Sequence, residues 1–392
     1  MLKLQKENTL SWIPKQESQL KKPKLFWIGG LYGACYYYRA YLPMKYITKL
    51  DCDGDVDLRK HNKKENVEKL TRELLDADIV VFQRPYDIDR IKLMQSLKLK
   101  GKKIVFENDD TFEIDIGNPA YDVYSYDDKE KSKKALEFCQ KGIKFGLKFS
   151  DLAITTTDFL AQEYKKKTDY RKVEVIPNYI DVDYWVKPKE NKSKEIRIGL
   201  TGSVIYKENM IDFLEVLDEI VKIPNVKLVI QGFQSEKILK NNPLIKEKMS
   251  PHMDLFKRYK CEIVPHSLVL DYPKVLADLK LDLALIPRKD NHFNRCKSNI
   301  KYLELSMLKI PVVAQGFLDD NSPYQKDIKD GENGFIAINN KEWIEKIKLL
   351  IENKKLRKEI GENAYQYVIN NYDIKKHYIE WENKLLNLWY TS

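Results

Sequence analysis

Short β-branched apolar runs alternate with amphipathic stretches along most of the chain. In the first half, strands are predicted at residues 24–28, 78–83, 103–107, 152–156 and 173–176. In the second half, strands are predicted at residues 196–200, 227–231, 261–264, 283–286, 311–314 and 334–338. Helical periodicity falls between them, as at 209–221, where apolar residues recur on one face. This alternation predicts α/β layers with parallel sheets.

Two such strand–helix sets follow one another without a short internal repeat. The polar segment 187–195 (KPKENKSKE) predicts a linker between them. We expect an N-terminal Rossmann-like domain over 1–186 and a C-terminal one over 196–373, followed by a helical tail. Two facing domains of this kind place a cleft between the carboxyl ends of their strands, where ligands of α/β sheets bind.

Composition narrows the class of protein. The 392 residues are 43% apolar and 33% charged, a balance that can fill full-sized cores. No apolar run approaches the ~18–20 residues of a membrane span, and the start of the chain lacks the apolar stretch of a secretory signal. The five cysteines stand apart with no CxxC, so the sequence predicts a reducing cytoplasm and no metal centre.

The net charge of +10 divides evenly along the chain. Residues 1–190 hold 36 basic and 31 acidic side chains, and the remainder holds 33 and 28. Residues 1–50 carry a local +7, and lysines cluster at 98–103, 129–134 and 165–167. A solvated lysine-rich surface and a polyanion-binding edge are both compatible with this pattern.

Two glycine turns follow strands at the start of each half. Gly29, Gly30 and Gly33 follow the first strand without forming GxGxxG, so a tight turn and a ligand-facing loop both stay open. Gly202 and Ser203 follow the strand at 196–200, with Lys207 before a helix. Backbone amides, a hydroxyl and an ammonium there suit a diphosphate, although an ordinary strand–helix turn explains them equally well.

The segment 282–315 is the richest in chemistry. After a strand and a polar loop, Ser298 is predicted as the N-cap of a helix over 299–308. Lys297 and Lys301 lie near the start of that helix, where the helix dipole also favours an anion. Glu304 lies near its middle.

The stretch KSNIKYLELSMLKIPVVA resembles GT-B glycosyltransferases of the family-4 type, in which a glutamate-bearing helix leads into G-x-P-V-V-A. Further similarities are VIPNYID at 175–181, the glycine turn at 199–207 and DGENGF at 330–335. The resemblance covers roughly 173–390. It implies a GT-B fold whose last helix, 374–392, returns to the first domain. Residues 35–43 and 106–121 also look similar to family-4-type enzymes in phage and environmental sequences.

The resemblance implies roles for individual residues. Glu304 would bind the donor ribose, Ser298 and Asn299 would present helix-start amides to the diphosphate, and Lys207 would neutralise it. His266 would lie in the nucleobase region. Two positions depart from the family: Cys296 stands where its first conserved glutamate would fall, and Ser203 replaces its usual arginine. Lys297 or Lys301 would replace that missing cation.

The N-terminal half is expected to bind the acceptor. Tyr37 and Arg39 follow the first glycine loop at a predicted helix start. Asp109 and Asp110 follow a strand, so they should face the cleft and raise each other's pKa, as proton transfer requires. A loop cap or helix cap is the alternative role for the pair.

These observations predict metal-independent, cofactor-free transfer of a sugar from a nucleotide diphosphate sugar to a hydroxyl acceptor. The resemblance makes retention, UDP-glucose as donor and a glycan or lipid-linked acceptor the default, and leaves peripheral membrane contact open. Glucosylation of hydroxymethylated DNA bases is the main alternative, since cations and tyrosines suit a flipped base. A sugar-nucleotide epimerase and a non-catalytic sugar-nucleotide-binding protein are further alternatives.

Overall fold

Two parallel six-stranded sheets form the framework of the chain. The computed structural model describes residues 22–30, 33–55, 64–111, 129–168, 172–202, 213–233, 250 and 253–391. The first sheet has the order β2-β1-β3-β4-β5-β6 and the second β12-β11-β10-β7-β8-β9. Every pairing between neighbours is parallel. Parallel order requires the crossover helices that the sequence periodicity predicts.

The strands of the first sheet are β1 (Lys24–Ile28), β2 (Asp51–Asp55), β3 (Ile79–Gln83), β4 (Lys103–Glu107), β5 (Leu152–Thr155) and β6 (Val173–Val175). Those of the second are β7 (Ile196–Thr201), β8 (Val226–Phe233), β9 (Glu262–Pro265), β10 (Leu283–Ile286), β11 (Val312–Gln315) and β12 (Phe335–Ala337). All eleven predicted strands occur within two residues of their predicted bounds. β2 was not predicted, because its sequence DCDGD lacks the apolar residues of a buried strand and lies at a sheet edge.

The described helices of the first half are α1 (Ala34–Tyr36), a π-helical segment (Tyr37–Tyr41), α2 (Leu42–Tyr46), α3 (Lys64–Asp76), α4 (Ile88–Leu99), α5 (Lys129–Phe149) and α6 (Asp158–Thr168). A 3-10 turn, Val182–Tyr184, follows β6. The second half contains α7 (Leu214–Ile220), α8 (Tyr272–Asp278), α9 (His292–Arg295), α10 (Ile300–Met307), α11 (Asn340–Glu352), α12 (Lys354–Asn371) and α13 (Ile374–Tyr390). The predicted helix 209–221 is described from residue 213 onward, and its helical part is α7.

The last helix returns to the first sheet. In α13, Trp381 packs on Trp27 of β1 with ring centroids 5.2 Å apart, and both rings are buried. The Glu382 carboxylate accepts hydrogen bonds from the backbone amides of Thr48 and Lys49, each at 2.7 Å. The predicted crossing of the tail is therefore confirmed. Among the described residues, no helix has the length and apolar character to cross a bilayer.

Candidate functional site

A cavity of about 350 Å³ lies between the carboxyl edges of the two sheets. Both halves of the chain line it, so it is the cleft that the two facing domains predict. Among the residues that the structure describes, five cations line it: Arg39, Arg84, Arg288, Lys297 and Lys301. Three carboxylates also line it: Asp109, Asp110 and Glu304. The lining therefore carries an excess of two positive charges, which favours an anionic ligand.

The second half contributes a compact set of charges from one segment. Glu304 is buried in the middle of α10, where Lys301 donates to its Oε2 at 2.8 Å. The phenol of Tyr38 donates to Glu304 Oε1 at 3.1 Å, and that of Tyr272 donates to Oε2 at 3.3 Å. The carboxylate thus already accepts hydrogen bonds from two hydroxyl groups and one ammonium.

The ammonium of Lys301 stays charged in this environment. Burial alone would lower the pKa of Lys301, but the Glu304 carboxylate raises it overall. Burial, aided by the same carboxylate, raises the pKa of Tyr272 to about 12. At neutral pH the site therefore presents a lysine cation and a neutral phenol toward the cavity.

Gly202 determines where Lys301 can lie. Its φ of +125° is one that side-chain-bearing residues rarely adopt. A Cβ built there would stand 2.8 Å from Lys301 Cε, so the lysine crosses directly over the glycine. The Gly202 amide donates to the backbone oxygen of Gln231 at 3.1 Å. Gly202 lines the cavity, but its amide already has a partner, and its contact with a diphosphate stays a prediction.

The first half contributes an ion-paired cluster instead. The Arg84 guanidinium donates to Asp109 at 2.6 Å and lies 3.7 Å from Asp110. Burial would raise the pKa of Asp109, but Arg84 outweighs it and lowers that pKa to about 2. The expectation that the two aspartates raise each other's pKa is therefore wrong for Asp109, because the partly buried Arg84 guanidinium lies beside it.

Arg39 is fully buried behind this cluster. It donates to Glu107 at 2.7 Å and to the backbone oxygens of Ile176 and Pro177 at 2.6 and 3.1 Å. Its guanidinium also stacks over the ring of Trp381 at 4.8 Å. Arg39 lines the cavity as predicted, but most of its donors are directed at the protein.

Polar contacts cross the cleft between described residues that line the cavity. Lys297 donates to Asp110 at 2.6 Å, and Asn178 donates to the Ser298 hydroxyl at 2.9 Å. A third such contact is the bond from Tyr38 to Glu304. In each contact, a group that we predicted to bind the donor is held by a side chain of the first half.

Ser298 is not the helix N-cap. The cap is Asn299, and its amide side chain donates to Asp327 at 2.8 Å instead of facing the cavity. Ser298 and Lys297 line the cavity. The helix begins one residue later than predicted because Asn299, with ψ of 8°, lies outside helical geometry.

Other predicted residues lie away from the cavity. Tyr37 is buried, with its ring stacked on Tyr41, so it belongs to the core. His266 follows β9 but is exposed and does not line the cavity. Gly29, Gly30 and Gly33 do not line it either.

The first glycine loop is a structural turn in its described part. The Gly30 amide donates to the Gln83 side chain at 3.1 Å, and the Arg90 guanidinium donates to the backbone oxygens of Gly29 and Gly30. The Gly30 amide and the Arg90 guanidinium, the donors that a phosphate would need, are therefore already bonded within the protein. Gly33 has an extended φ of 172°, which other residues also adopt.

Ser203 and Lys207 lie outside the described residues, so their predicted contact with a diphosphate stays a prediction. Cys296, in the place of the family's first glutamate, is fully buried among apolar residues of the first half, including Phe106 and Leu160. It does not line the cavity, so this position supplies neither charge nor hydrogen bonding to the site.

The sequence analysis missed Arg84, Arg288 and Tyr272. Both arginines follow the ends of central strands, β3 and β10, which is the signal that could have located them. Arg288 donates to the phenol of Tyr324 at 3.3 Å. Tyr272 lies at the start of α8, 32 residues before the Glu304 that it contacts, so no local sequence pattern indicates its role.

No protein-family model and no curated protein matches the chain. Among solved structures, HepE of Anabaena, in complex with UDP and glucose, superposes with a TM-score of 0.63 at 12% identity, covering 93% of this chain and 100% of that one. A sucrose-phosphate synthase of Thermosynechococcus elongatus has a TM-score of 0.62 at 10% identity, covering 94% and 100%.

TarM has a TM-score of 0.56 at 20% identity, covering 79% of this chain and 54% of its own. The chain thus spans about half the length of TarM. These similarities show that the chain has the GT-B fold, as predicted.

Proposed function

We propose that this protein transfers a glycosyl group from a nucleotide diphosphate sugar to a hydroxyl acceptor. The observation that carries the proposal is the cavity between the two strand edges, with five cations and the buried Glu304. The negative charge on a diphosphate leaving group grows in the transition state. Preorganised cations stabilise that charge most strongly in a cleft that excludes water.

The donor would bind on the side of α10. Glu304 already accepts hydrogen bonds from the hydroxyls of Tyr38 and Tyr272, so it suits the paired hydroxyls of a ribose. Lys301, Lys297 and Arg288 would then surround the diphosphate without a metal ion. Donor binding would replace the hydrogen bonds that Tyr38 donates to Glu304 and that Lys297 donates to Asp110.

The default donor is UDP-glucose and the default acceptor is a glycan or a lipid-linked sugar. Two proteins of the same fold support the nucleotide: HepE, in complex with UDP and glucose, and S. aureus TarM, in complex with UDP and α-GlcNAc-glycerol. The acceptor would enter on the side of the first sheet, where Asp110 is the remaining candidate proton acceptor. Asp109, with its lowered pKa, would position Arg84.

The test is release of nucleoside diphosphate from a panel of nucleotide sugars, followed by NMR of the anomeric proton in the product. We expect turnover of one donor with retention of configuration. Glu304→Gln should lower kcat/KM about 10- to 100-fold, because it removes a charged hydrogen-bond acceptor. The matched control, Glu332→Gln, changes an exposed glutamate and should leave the rate unchanged.

Two results would contradict the proposal. One is the absence of release from every donor with a folded protein. The other is an equal rate for Glu304→Gln and wild type.

A further inference from the structure

The outer face of α5 carries an alternating series of lysines and phenylalanines. Lys134, Phe138, Lys141, Phe145 and Lys148 follow one another at intervals of four and three residues. This spacing places all five on one stripe along a helix. All five are exposed, Phe138 at 49% and Phe145 at 53%. We call them the lysine–phenylalanine stripe.

The opposite face of α5 is fixed against the first sheet. Ile143 and Leu147 are buried in the core. A Cβ on Gly142 would stand 2.1 Å from the Tyr86 backbone oxygen, so the helix packs against the chain there without space for a side chain. The helix cannot roll to bury the two phenylalanines, and the stripe is held outward.

The charges on this face are not balanced within the protein. The sequence of α5 holds seven lysines and two glutamates. In the described part of the chain, Lys141, Lys144 and Lys148 pair with no carboxylate, and Lys134 comes only within 3.9 Å of Glu130. The uncompensated cations make the face attractive to an anionic surface.

The neighbouring helix extends the same surface. α4 packs against α5. Its outer face exposes Leu99 at 83% and Ile88 at 47%, with the exposed Lys92 between them. Apolar side chains and uncompensated lysines thus share two adjacent helices.

We propose that the lysine–phenylalanine stripe binds the surface of a membrane that contains anionic lipids. Phenylalanines enter the boundary between headgroups and acyl chains, while lysines contact the anionic headgroups. A nucleic acid fits the surface less well. A duplex backbone would use only the lysines. A single strand needs a groove with stacking rings, whereas the stripe lies on the exposed face of a helix and the neighbouring Leu99 is aliphatic. The proposal does not rest on glycosyl transfer.

Co-sedimentation of the full chain with vesicles tests it. Vesicles of phosphatidylcholine alone are compared with vesicles that also contain phosphatidylglycerol. We expect binding only to the second kind. The triple variant Lys134→Gln, Lys141→Gln, Lys148→Gln removes the three lysines of the stripe and should bind at least about tenfold more weakly, because each of them attracts anionic headgroups at the membrane surface.

A matched control removes three exposed lysines of the second half: Lys341→Gln, Lys348→Gln and Lys355→Gln. It should bind within about twofold of wild type if the stripe is the site. The double variant Phe138→Ser, Phe145→Ser keeps every charge and should lose binding at physiological salt, where electrostatic attraction is screened. Circular dichroism confirms that each variant is folded.

Three results would overturn the proposal. They are no sedimentation with phosphatidylglycerol vesicles at low salt, an equal loss in the control triple variant, and binding of a duplex oligonucleotide under conditions where vesicles do not bind.

Discussion

The two sides of the cleft hold their charged groups in different ways. On the side of the second sheet, Lys297, Lys301 and Glu304 come from one stretch of eight residues at the start of α10. On the side of the first sheet, Arg39, Glu107 and the Arg84–Asp109 pair come from separate elements and bind mainly to one another. The side of the second sheet thus leaves an excess of cations at the cavity wall, whereas the charged groups on the side of the first sheet neutralise one another. We infer that the donor's charge is recognised on one side and that the other side gives the cleft its shape.

Arg39→Met should give the largest effect, and on stability. The variant leaves the Glu107 carboxylate buried without its partner, and both side chains are 0% exposed. We expect a loss of about 3–5 kcal/mol in the free energy of unfolding, measured by urea denaturation. The control Lys358→Met removes the partner of Glu190 in a pair whose side chains are 61% and 67% exposed, and should cost far less stability. A similarly small loss for Arg39→Met would show that the Arg39–Glu107 ion pair does not stabilise the fold.

Glu107 should change stability with pH in the opposite sense from a carboxylate whose pKa is lowered on folding. Burial raises its pKa from 4.5 to about 7, against the opposing effect of Arg39. The folded state therefore binds more protons than the unfolded state between these values. Glu107 stabilises the fold below about pH 4.5, and this contribution is lost as the pH rises through about 7.

The effect is on the order of 2 kcal/mol for a shift of this size, discounted for the coupling to Arg39. Urea denaturation at a series of pH values should show a flatter profile for Glu107→Gln than for wild type between about pH 5 and 7. Parallel profiles would contradict a proton held at Glu107.

Gly202→Ala should displace the Lys301 side chain and thereby weaken nucleotide binding on the side of the second sheet. The substitution places a Cβ 2.8 Å from Lys301 Cε at a φ of +125°, so the lysine must move and the backbone is strained. We expect a loss of about 1–2 kcal/mol in stability together with weaker binding of UDP. The matched control is Gly33→Ala, where a Cβ would meet nothing within 4 Å. Equal losses of stability and UDP affinity in the two variants would contradict a steric requirement for glycine at position 202.

Asp110→Asn should give the smallest change in stability. Its salt bridge with Lys297 is only partly buried, so its loss should cost about 1 kcal/mol or less. If Lys297 belongs to the donor site, releasing it should tighten UDP binding by a few-fold, measured by calorimetry. Weaker binding would mean that the cross-cleft contact supports the donor site.

The sequence predicted the fold more fully than the site, for physical reasons. Eleven of the twelve described strands were visible in the sequence as short apolar runs, as is typical of buried parallel strands, whereas β2 is polar and lies at a sheet edge. The charged residues on the side of the second sheet were visible because they are contiguous at a helix start. Tyr38 and Tyr272 meet at Glu304 across separations of 266 and 32 residues, which no local pattern shows.

The pKa of Asp109 was predicted in the wrong direction, because a sequence does not show whether a cation lies beside two neighbouring carboxylates. Asp109 and Asp110 suggested mutual pKa elevation, but Arg84, at the end of another strand, reverses the shift for Asp109. Tyr37 belongs to the core because the helix at 34–46 turns it away from the cavity into a cluster with Tyr41 and Tyr184.

Calorimetric titration with UDP tests the central claim most directly. We expect wild type to bind UDP, Lys301→Met to bind at least about tenfold more weakly, and Lys329→Met, which changes an exposed lysine of the same half, to bind like wild type. Failure of wild type to bind UDP, or equal affinity for Lys301→Met and wild type, would contradict a diphosphate site on this side of the cleft.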